Sequence, residues 1–443
     1  MSLIKEFRKH PSAMAGLVIL LSFIIFSIYT VIALPYSEAV RLWRAGPGVW
    51  EDNPRRAAPL WTDFFTRDRL PRTIVVTLDD GGSKTVTPLA TGANSITVSL
   101  PFEFHYDGFP KEISIFTESV FEGVHELIAV YLRKPNGDVV TLDDSHRARR
   151  VHSYRISQDM SLRARLGGAS PHVGLFAEDP SPSARPLKGQ YEMIIQTELP
   201  VGSDIDKAKL VVYGQVYGLA GTDHLRRDLT IALRWGAPIG LLFGVLAAIG
   251  AQVSTFVLGG IGTWFGGKLD ATFHRITEVM MVLPTLAILI MIGHFFSRSI
   301  WVILGAVIVL NVFSGSMKVY RAMFLQAKEA AYIEAARAYG AGDFRIVFRY
   351  LLPRLVPVLL PQFVTVIPVF VFLEATLAVL GLGDPVLPTW GKMIHDAQAN
   401  SALYMGNYYW MVLPSVLLML IGFSFALVGY TLDRILNPRL RRI

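Results

Sequence analysis

Glu334-Ala335-Ala336-Arg337-Ala338-Tyr339-Gly340, with Leu352-Pro353 beyond it, lies in a basic loop between two hydrophobic runs. Alanines together with Lys328, Glu329, Glu334 and Arg337 favour helix from about Met323 to Tyr339. Ala327, Ala331, Ala335 and Ala338 recur at helical spacing on one face, where small side chains let another protein approach the backbone. Gly340 and Gly342 supply the backbone conformations that end a helix. Asp343 is placed to cap a second short helix running to Leu352. Pro353, which lacks an amide donor, marks the next break. The segment is expected to fold as helix, turn, helix and to receive a partner; a solvated amphipathic loop is the plainer alternative. Glu334 stands three residues before Arg337, a spacing that pairs charges along one helix. Its sharper role is to pair with a cation on the partner.

The sequence around this loop is that of a membrane protein. Of 443 residues, 52% are hydrophobic and 17% charged, and the mean hydropathy is +0.42. Six runs approach the roughly 20 apolar residues that cross a bilayer as helix: about 13–34, 236–264, 271–294, 300–318, 355–380 and 408–432. Lys5, Arg8 and Lys9 precede the first, as in a signal peptide, but that run exceeds the roughly 7–15 residues of a signal core, so a retained helix is expected.

A net charge of +7 is compatible with nucleic acid, but its distribution fits the excess of Lys and Arg on cytoplasmic loops. With the N-terminus inside, the cytoplasmic segments are 1–12, 265–272, the loop 318–354 and the tail from Arg434. The loop carries Lys318, Arg321, Lys328, Arg337, Arg345, Arg349 and Arg354 against Glu329, Glu334 and Asp343; the tail carries Arg434, Arg439, Arg441 and Arg442. The expectation is a multi-pass membrane protein, both termini cytoplasmic, binding no nucleic acid. Cysteine is absent, which removes disulfides, thiolate zinc sites and cysteine nucleophiles.

Residues from about 36 to 215 have another character. Arg72–Leu78, Ser95–Leu100, Leu127–Leu132, Tyr191–Gln196 and Lys209–Tyr213 read as strands, and Asn136-Gly137 as a hairpin turn. Short strands between Gly, Pro and Asp turns suggest a β-sandwich-like extracytoplasmic domain. The expected division is 1–35 (N-tail and first helix), 36–215 (β-rich insertion) and 216–443 (five-helix core with the loop 320–353). The insertion is either a platform for an external solute-binding protein or a scaffold. Its aromatics Phe102, Phe104, Tyr106 and Phe109 are expected in its core or at its rim.

Other candidate sites are weaker. Gly262–Lys268 has phosphate-loop spacing, but Leu269 stands where Ser or Thr must meet magnesium, and no strand precedes it. Ionisable residues within lipid point to function. Glu278 and Glu374, near run ends, are expected to be interfacial and solvated rather than pore-lining; His274 and His294 bracket the third run. Pro284, Pro357, Pro361 and Pro368 are expected to kink helices. Gly381-Leu382-Gly383-Asp384-Pro385 with Trp390 suggests a short hairpin at the outer mouth. Trp390, Tyr404, Tyr408, Tyr409 and Trp410 fit an interfacial aromatic belt.

Glu334-Ala335-Ala336, Gly340 and Leu352-Pro353 together resemble the EAA loop of binding-protein-dependent ABC importer permeases, with Tyr350 at a position usually held by isoleucine. Gly221-Thr222-Asp223-His224-Leu225-Arg226-Arg227-Asp228 resembles a box of the dipeptide/oligopeptide permeases, Arg226 replacing its second glycine. Phe265–Asp270, Glu374 with Leu380–Gly383 and Pro388–Gly391, and Asn437-Pro438-Arg439 are similar to further boxes of the C-type subunit. The resemblance covers roughly 220–443 and the first run. It implies a type I ABC importer fold of six transmembrane helices, with ATPase coupling through Glu334, Ala335, Ala336, Gly340, Asp343, Leu352 and Pro353. It also implies an outer gate or hairpin at Glu374, Gly381, Gly383 and Trp390.

The same resemblance implies a pore subunit in the plasma (inner) membrane of a prokaryote rather than an enzyme. This chain would bind no cofactor, ATP and Mg being held by partner ATPases. The implied partners are a homologous B-type permease, two ATP-binding subunits, an extracytoplasmic solute-binding protein and the bilayer. Short peptides are the implied cargo, though relatives carry oligosaccharides or nickel. Two other classes remain: an ion-driven secondary transporter, which keeps ionisable residues at the bilayer midplane and needs no ATPase dock, and a membrane-anchored sensor, whose extracellular β-domain would be its working part.

Overall fold

The computed structural model describes residues 10–436 except 45, 47, 91–92, 121–126, 148–150 and 179–183. Lys5, Arg8 and Lys9, the box Asn437-Pro438-Arg439, and Arg441 and Arg442 lie outside the described residues. The chain divides into two units, Met1–Arg44 with Ile231–Ile443, and Ala45–Thr230.

The first unit opens with α1 (Pro11–Ala33), whose proline sits in the first turn where no amide partner is needed. The amphipathic α2 (Tyr36–Trp43) follows and buries Ala39 and Trp43.

The second unit is β-rich. Its strands are β1 (Ile74–Thr77), β2 (Ser83–Pro88), β3 (Ala93–Phe104), β4 (Glu112–Val120), β5 (Leu127–Arg133), β6 (Val139–Arg147), β7 (Val151–Tyr154), β8 (Gly189–Pro200) and β9 (Asp204–Tyr213). Two short helices, α3 (Met160–Arg165) and α4 (Pro171–Gly174), lie between β7 and β8. The strands form two antiparallel sheets, β1-β9-β4-β7 and β2-β3-β8-β5-β6. Alternation explains the core: Ile96, Val98, Leu100, Phe102 and Phe104 of β3 point one way, and Ile113, Ile115, Leu210 and Val212 of the other sheet join them in one cluster. Phe102, Phe104 and Tyr106 are buried and Phe109 packs against them, so these aromatics serve packing. Asn136-Gly137 turns the β5–β6 hairpin, with Gly137 at φ 90° and the Lys134 amide bonded to the Asp138 carbonyl at 2.8 Å.

The chain then returns to the first unit through α5 (Thr230–Phe265), α6 (Gly267–Val282), α7 (Thr285–Phe295), α8 (Ile300–Val312), α9 (Gly315–Lys328), α10 (Ala331–Ala338), α11 (Asp343–Ile346), α12 (Leu352–Leu377), α13 (Trp390–Ala399) and α14 (Tyr409–Leu436). Among the described residues, four helical stretches qualify singly as spans by length and composition: Pro11–Ala33, Thr230–Phe265, Asp343–Leu382 and Tyr409–Ile435. The two other apolar runs are bent pairs rather than straight helices. The pair α6 and α7 turns by 79°, and α8 and α9 by 46°. Pro284 accounts for the first bend: it offers no amide to the preceding turn, so α6 stops at Val282 and α7 restarts at Thr285.

Small residues on α5 let its neighbours close in. A Cβ on Gly244 would stand 2.5 Å from Val371 Cγ2 of α12, and one on Gly236 would stand 2.2 Å from Trp390 Cδ1 of α13. Around them Ala237, Phe243, Ala247 and Ala251 join Phe370, Val371, Ile421 and Phe425 in the core.

Candidate functional site

The helix expected from Met323 to Tyr339 is two helices. Ala330 takes an extended conformation (φ −79°, ψ 141°) between α9 and α10. The burial of Ile333 and Ala336 with Phe324, Ile346, Val347, Leu351 and Leu352 overrides the local preference for one continuous helix. Ala327, on α9, therefore does not continue the small-residue face. Ala331, Ala335 and Ala338 are exposed on α10, and Glu334 beside them.

Gly340 stops α10 at φ 80°. The Ala341 amide bonds to the Ala336 carbonyl at 3.0 Å and the Gly340 amide to the Arg337 carbonyl at 2.9 Å, the two bonds of a Schellman cap. A Cβ on Gly340 would meet nothing within 4 Å, so the backbone angle requires the glycine, not crowding.

Trp264, at the end of α5, organises the elbow from beneath. Its indole N–H donates to the Asp343 carboxylate at 3.0 Å. The Arg337 guanidinium lies 4.7 Å from its ring centre and the Lys328 ammonium 5.6 Å. Lys328 also donates to the carbonyls of Thr263 (3.2 Å) and Trp264 (2.9 Å), satisfying the end of α5. A bidentate pair, Arg321 to Asp270 at 2.7 and 2.6 Å, fastens α9 to the first turn of α6.

Several expectations need correction here. Arg337 is engaged with Trp264 and not with Glu334, which forms no ion pair among the described residues. Asp343 does not cap a helix: Gly342 holds the cap position, and Asp343 sits in the first turn with its carboxylate turned to Trp264. Pro353 makes no break. A wide π turn over Val347–Leu351 leads from α11 into α12, with Pro353 in the first turn of α12 where a missing amide costs little. Ala336 and Leu352 are buried under the elbow, while Glu334, Ala335, Gly340 and Pro353 are exposed, as is Asp343 despite its bond to Trp264.

The second predicted set lies where α12 meets α13. Glu374 is buried rather than solvated, with the Thr389 hydroxyl as its hydrogen-bond partner. That hydroxyl also accepts the Lys392 amide at 3.2 Å, capping α13. Gly381 turns the chain at φ 85°, and His395 Nδ1 lies 2.9 Å from the Val379 carbonyl oxygen. Cβ atoms on Gly383 and Gly391 would approach Ala378 Cβ to 2.8 and 2.6 Å. Trp390 is not an interfacial belt residue. It is buried, and its indole donates to the Leu233 carbonyl at 2.9 Å. Tyr409 and Trp410 are buried too, which leaves Tyr404 and Tyr408 exposed. Glu278 is half-exposed, 3.4 Å from both His274 and Arg275.

Within the β-rich unit, residues 221–228 form a clasp. Buried Asp223 accepts the Arg227 guanidinium at 2.5 Å and the amides of Leu225 and Arg227 at 2.8 Å. Arg226 adopts φ 69°, a left-handed conformation that favours glycine. Its guanidinium bonds to the Asn53 carbonyl at 2.6 Å and to Glu112, and lies 4.1 Å from the Tyr213 ring centre. These interactions offset the backbone strain, of order 1–2 kcal/mol for a residue with a Cβ.

Trp264 is the part of the elbow that sequence reading missed. Its only signal was an aromatic residue inside the rejected phosphate-loop pattern.

Residues 240–442 match the family described as binding-protein-dependent transport system inner membrane component. Residues 2–47 match the N-terminal TM domain of oligopeptide transport permease C. The chain is 31% identical over 223 residues to the dipeptide transport system permease protein DppC of Bacillus subtilis, covering 50% of this chain and 69% of that protein. It is 28% identical over 223 residues to the oligopeptide transport system permease protein OppC of the same organism, covering 50% and 72%. It is 31% identical over 206 residues to the peptidoglycan transport system permease protein YejE of Agrobacterium fabrum, covering 46% and 54%. Most of the β-rich unit falls between the two family matches. The chain belongs to the family of binding-protein-dependent transport permeases, as a C-type member of its dipeptide/oligopeptide branch.

Proposed function

We propose that this chain forms one half of the pore of an ATP-driven importer of short peptides, and that the elbow over Trp264 is where an ATP-hydrolysing subunit takes hold. One observation carries the second part. Glu334, Ala335 and Gly340 face outward on a helix whose inner side is fixed by Ile333 and Ala336, and Glu334 has no ion pair among the described residues. That geometry leaves a carboxylate and a low-relief surface for a foreign cation and backbone.

The mechanism is alternating access. Two ATP-binding subunits, holding the ATP and Mg, close on nucleotide and displace α10. The helical stretch from Asp343 through α12 carries the displacement from the elbow towards Glu374. A homologous B-type permease supplies the other half-pore, and an extracytoplasmic solute-binding protein delivers the cargo. This chain binds no cofactor and performs no chemistry. In this reading each bent pair counts as one span, giving six, and the basic loop and both termini face the cytoplasm. The β-rich unit is then an extracytoplasmic sandwich. The names of the dipeptide and oligopeptide relatives support peptides as the cargo.

Glu334→Ala and Gly340→Ala, tested in the assembled transporter, check the proposal. Both should abolish peptide-stimulated ATP hydrolysis and uptake while the permease still inserts. Full uptake in both variants, or purification that never recovers an ATPase, contradicts it.

A further inference from the structure

The β-rich unit exposes two adjacent phenylalanines on a short 3₁₀ turn, Leu60–Phe65. Phe64 is 88% exposed and Phe65 83%. Leu219, 75% exposed, belongs to the same patch. The Trp61 indole donates to the Leu219 carbonyl at 3.0 Å, the Leu60 amide to the Gly218 carbonyl at 2.9 Å, and the Trp61 and Phe65 rings meet edge to face at 6.3 Å. The patch is therefore built and held. Apolar surface of this kind in water is costly and marks an interaction site.

Connectivity bounds its distance from the bilayer. Leu219 is two residues from Gly221, whose carbonyl accepts the Leu229 amide at 3.1 Å, and α5 begins at Thr230. Leu219 thus stands eleven residues before Thr230, and a short connection ties the patch to a helix long and apolar enough to cross a bilayer. Tryptophan and phenylalanine are the side chains that favour the headgroup layer, itself roughly 5–8 Å deep on each face. The formal charges alongside cancel, Asp63 and Asp68 against Arg67 and Arg69. An acidic or basic protein partner finds no complement here, whereas a zwitterionic lipid surface needs none.

We infer that Trp61, Phe64, Phe65 and Leu219 form a lipid-interface anchor that dips the β-rich unit into the headgroup layer of the bilayer. The anchor tethers this unit at a third place, beyond its two chain connections. It draws on the membrane setting alone and is independent of the solute carried.

The absence of native cysteine makes the test direct. Phe64→Cys carries an environment-sensitive fluorophore in the full assembled transporter, reconstituted in nanodiscs of phosphatidylcholine with or without doxyl-labelled lipid. Thr85→Cys, on the exposed strand β2, is the reference. The inference expects quenching by doxyl lipid at least threefold stronger at position 64 than at 85, and reduced access to aqueous iodide. Phe65→Cys replaces the first probe should Phe64→Cys fail to assemble. Equal lipid quenching at both positions overturns the anchor, as does shielding of position 64 from lipid and iodide alike, which would mean a protein covers the patch.

Discussion

The elbow at Gly340 and the hairpin around Gly381, Gly383 and Gly391 are both punctuated by glycine, yet glycine answers a different need in each. At the elbow the requirement is angular: φ is 80° and no neighbour crowds the missing Cβ. At the hairpin it is mostly spatial, with Ala378 Cβ waiting at 2.6 and 2.8 Å. One region is an open surface on a fixed base; the other is packed shut against α5 through Trp390. The family boxes mark both, so recurrence of a motif does not say whether its residues are offered to a partner or consumed by packing.

The comparison predicts unequal responses to added methyl groups. The largest effect belongs to Gly236→Ala, whose Cβ would strike the buried Trp390 indole at 2.2 Å. Overpacking of about 1–3 kcal/mol or more is expected, read as lost expression and a lower unfolding temperature of the detergent-solubilised chain. Unchanged thermal stability would mean that α13 is not seated on α5 as described. Gly340→Ala should cost less, about 1–2 kcal/mol of local strain, and leave that unfolding temperature nearly unmoved while uptake fails. A global loss of fold in that variant would erase the distinction between the two regions.

Trp264→Phe sharpens the comparison from beneath the elbow. It keeps the ring under Arg337 but deletes the donor to Asp343, a loss of about 1 kcal/mol. Proteolysis within residues 329–343 should quicken, with cleavage elsewhere unchanged. A pH-dependent effect lies in the β-rich unit, where burial first, and then the charge of Arg56, lower the Lys111 pKa to about 8 against Glu112, which raises it. The unfolded chain holds that proton up to about pH 10.5. The folded state binds fewer protons between those values, so this group's contribution to stability rises from about pH 8 to 10.5. Lys111→Met should flatten that rise in a pH series of thermal unfolding.

Legibility followed the same line. Period and composition expose what depends on one segment: the apolar runs, the alternating strands β3, β8 and β9, and the Asn136-Gly137 turn. They fail where partners far apart in sequence decide. β4 mixes Ser114, Thr117, Glu118 and Ser119 with its isoleucines, and only pairing with β9 reveals it as an inner strand. The elbow's helix divides at Ala330 because Ile333 and Ala336 pack with residues from α5 and α12. Trp264 and Asp343 are 79 residues apart and carry no mutual signal. Glu374 and Trp390 look interfacial by position along their runs, but Thr389 and the Leu233 carbonyl hold them inside.

The central claim is that an ATP-hydrolysing subunit grips the exposed face of α10. Ala335→Cys provides the most direct measurement, since the chain has no other cysteine. In the assembled transporter a short thiol-to-amine cross-linker at this position should capture the ATPase subunit, and the yield should change when ATP is added. Capture of no ATPase from a complex that is intact and hydrolysing ATP would contradict the account.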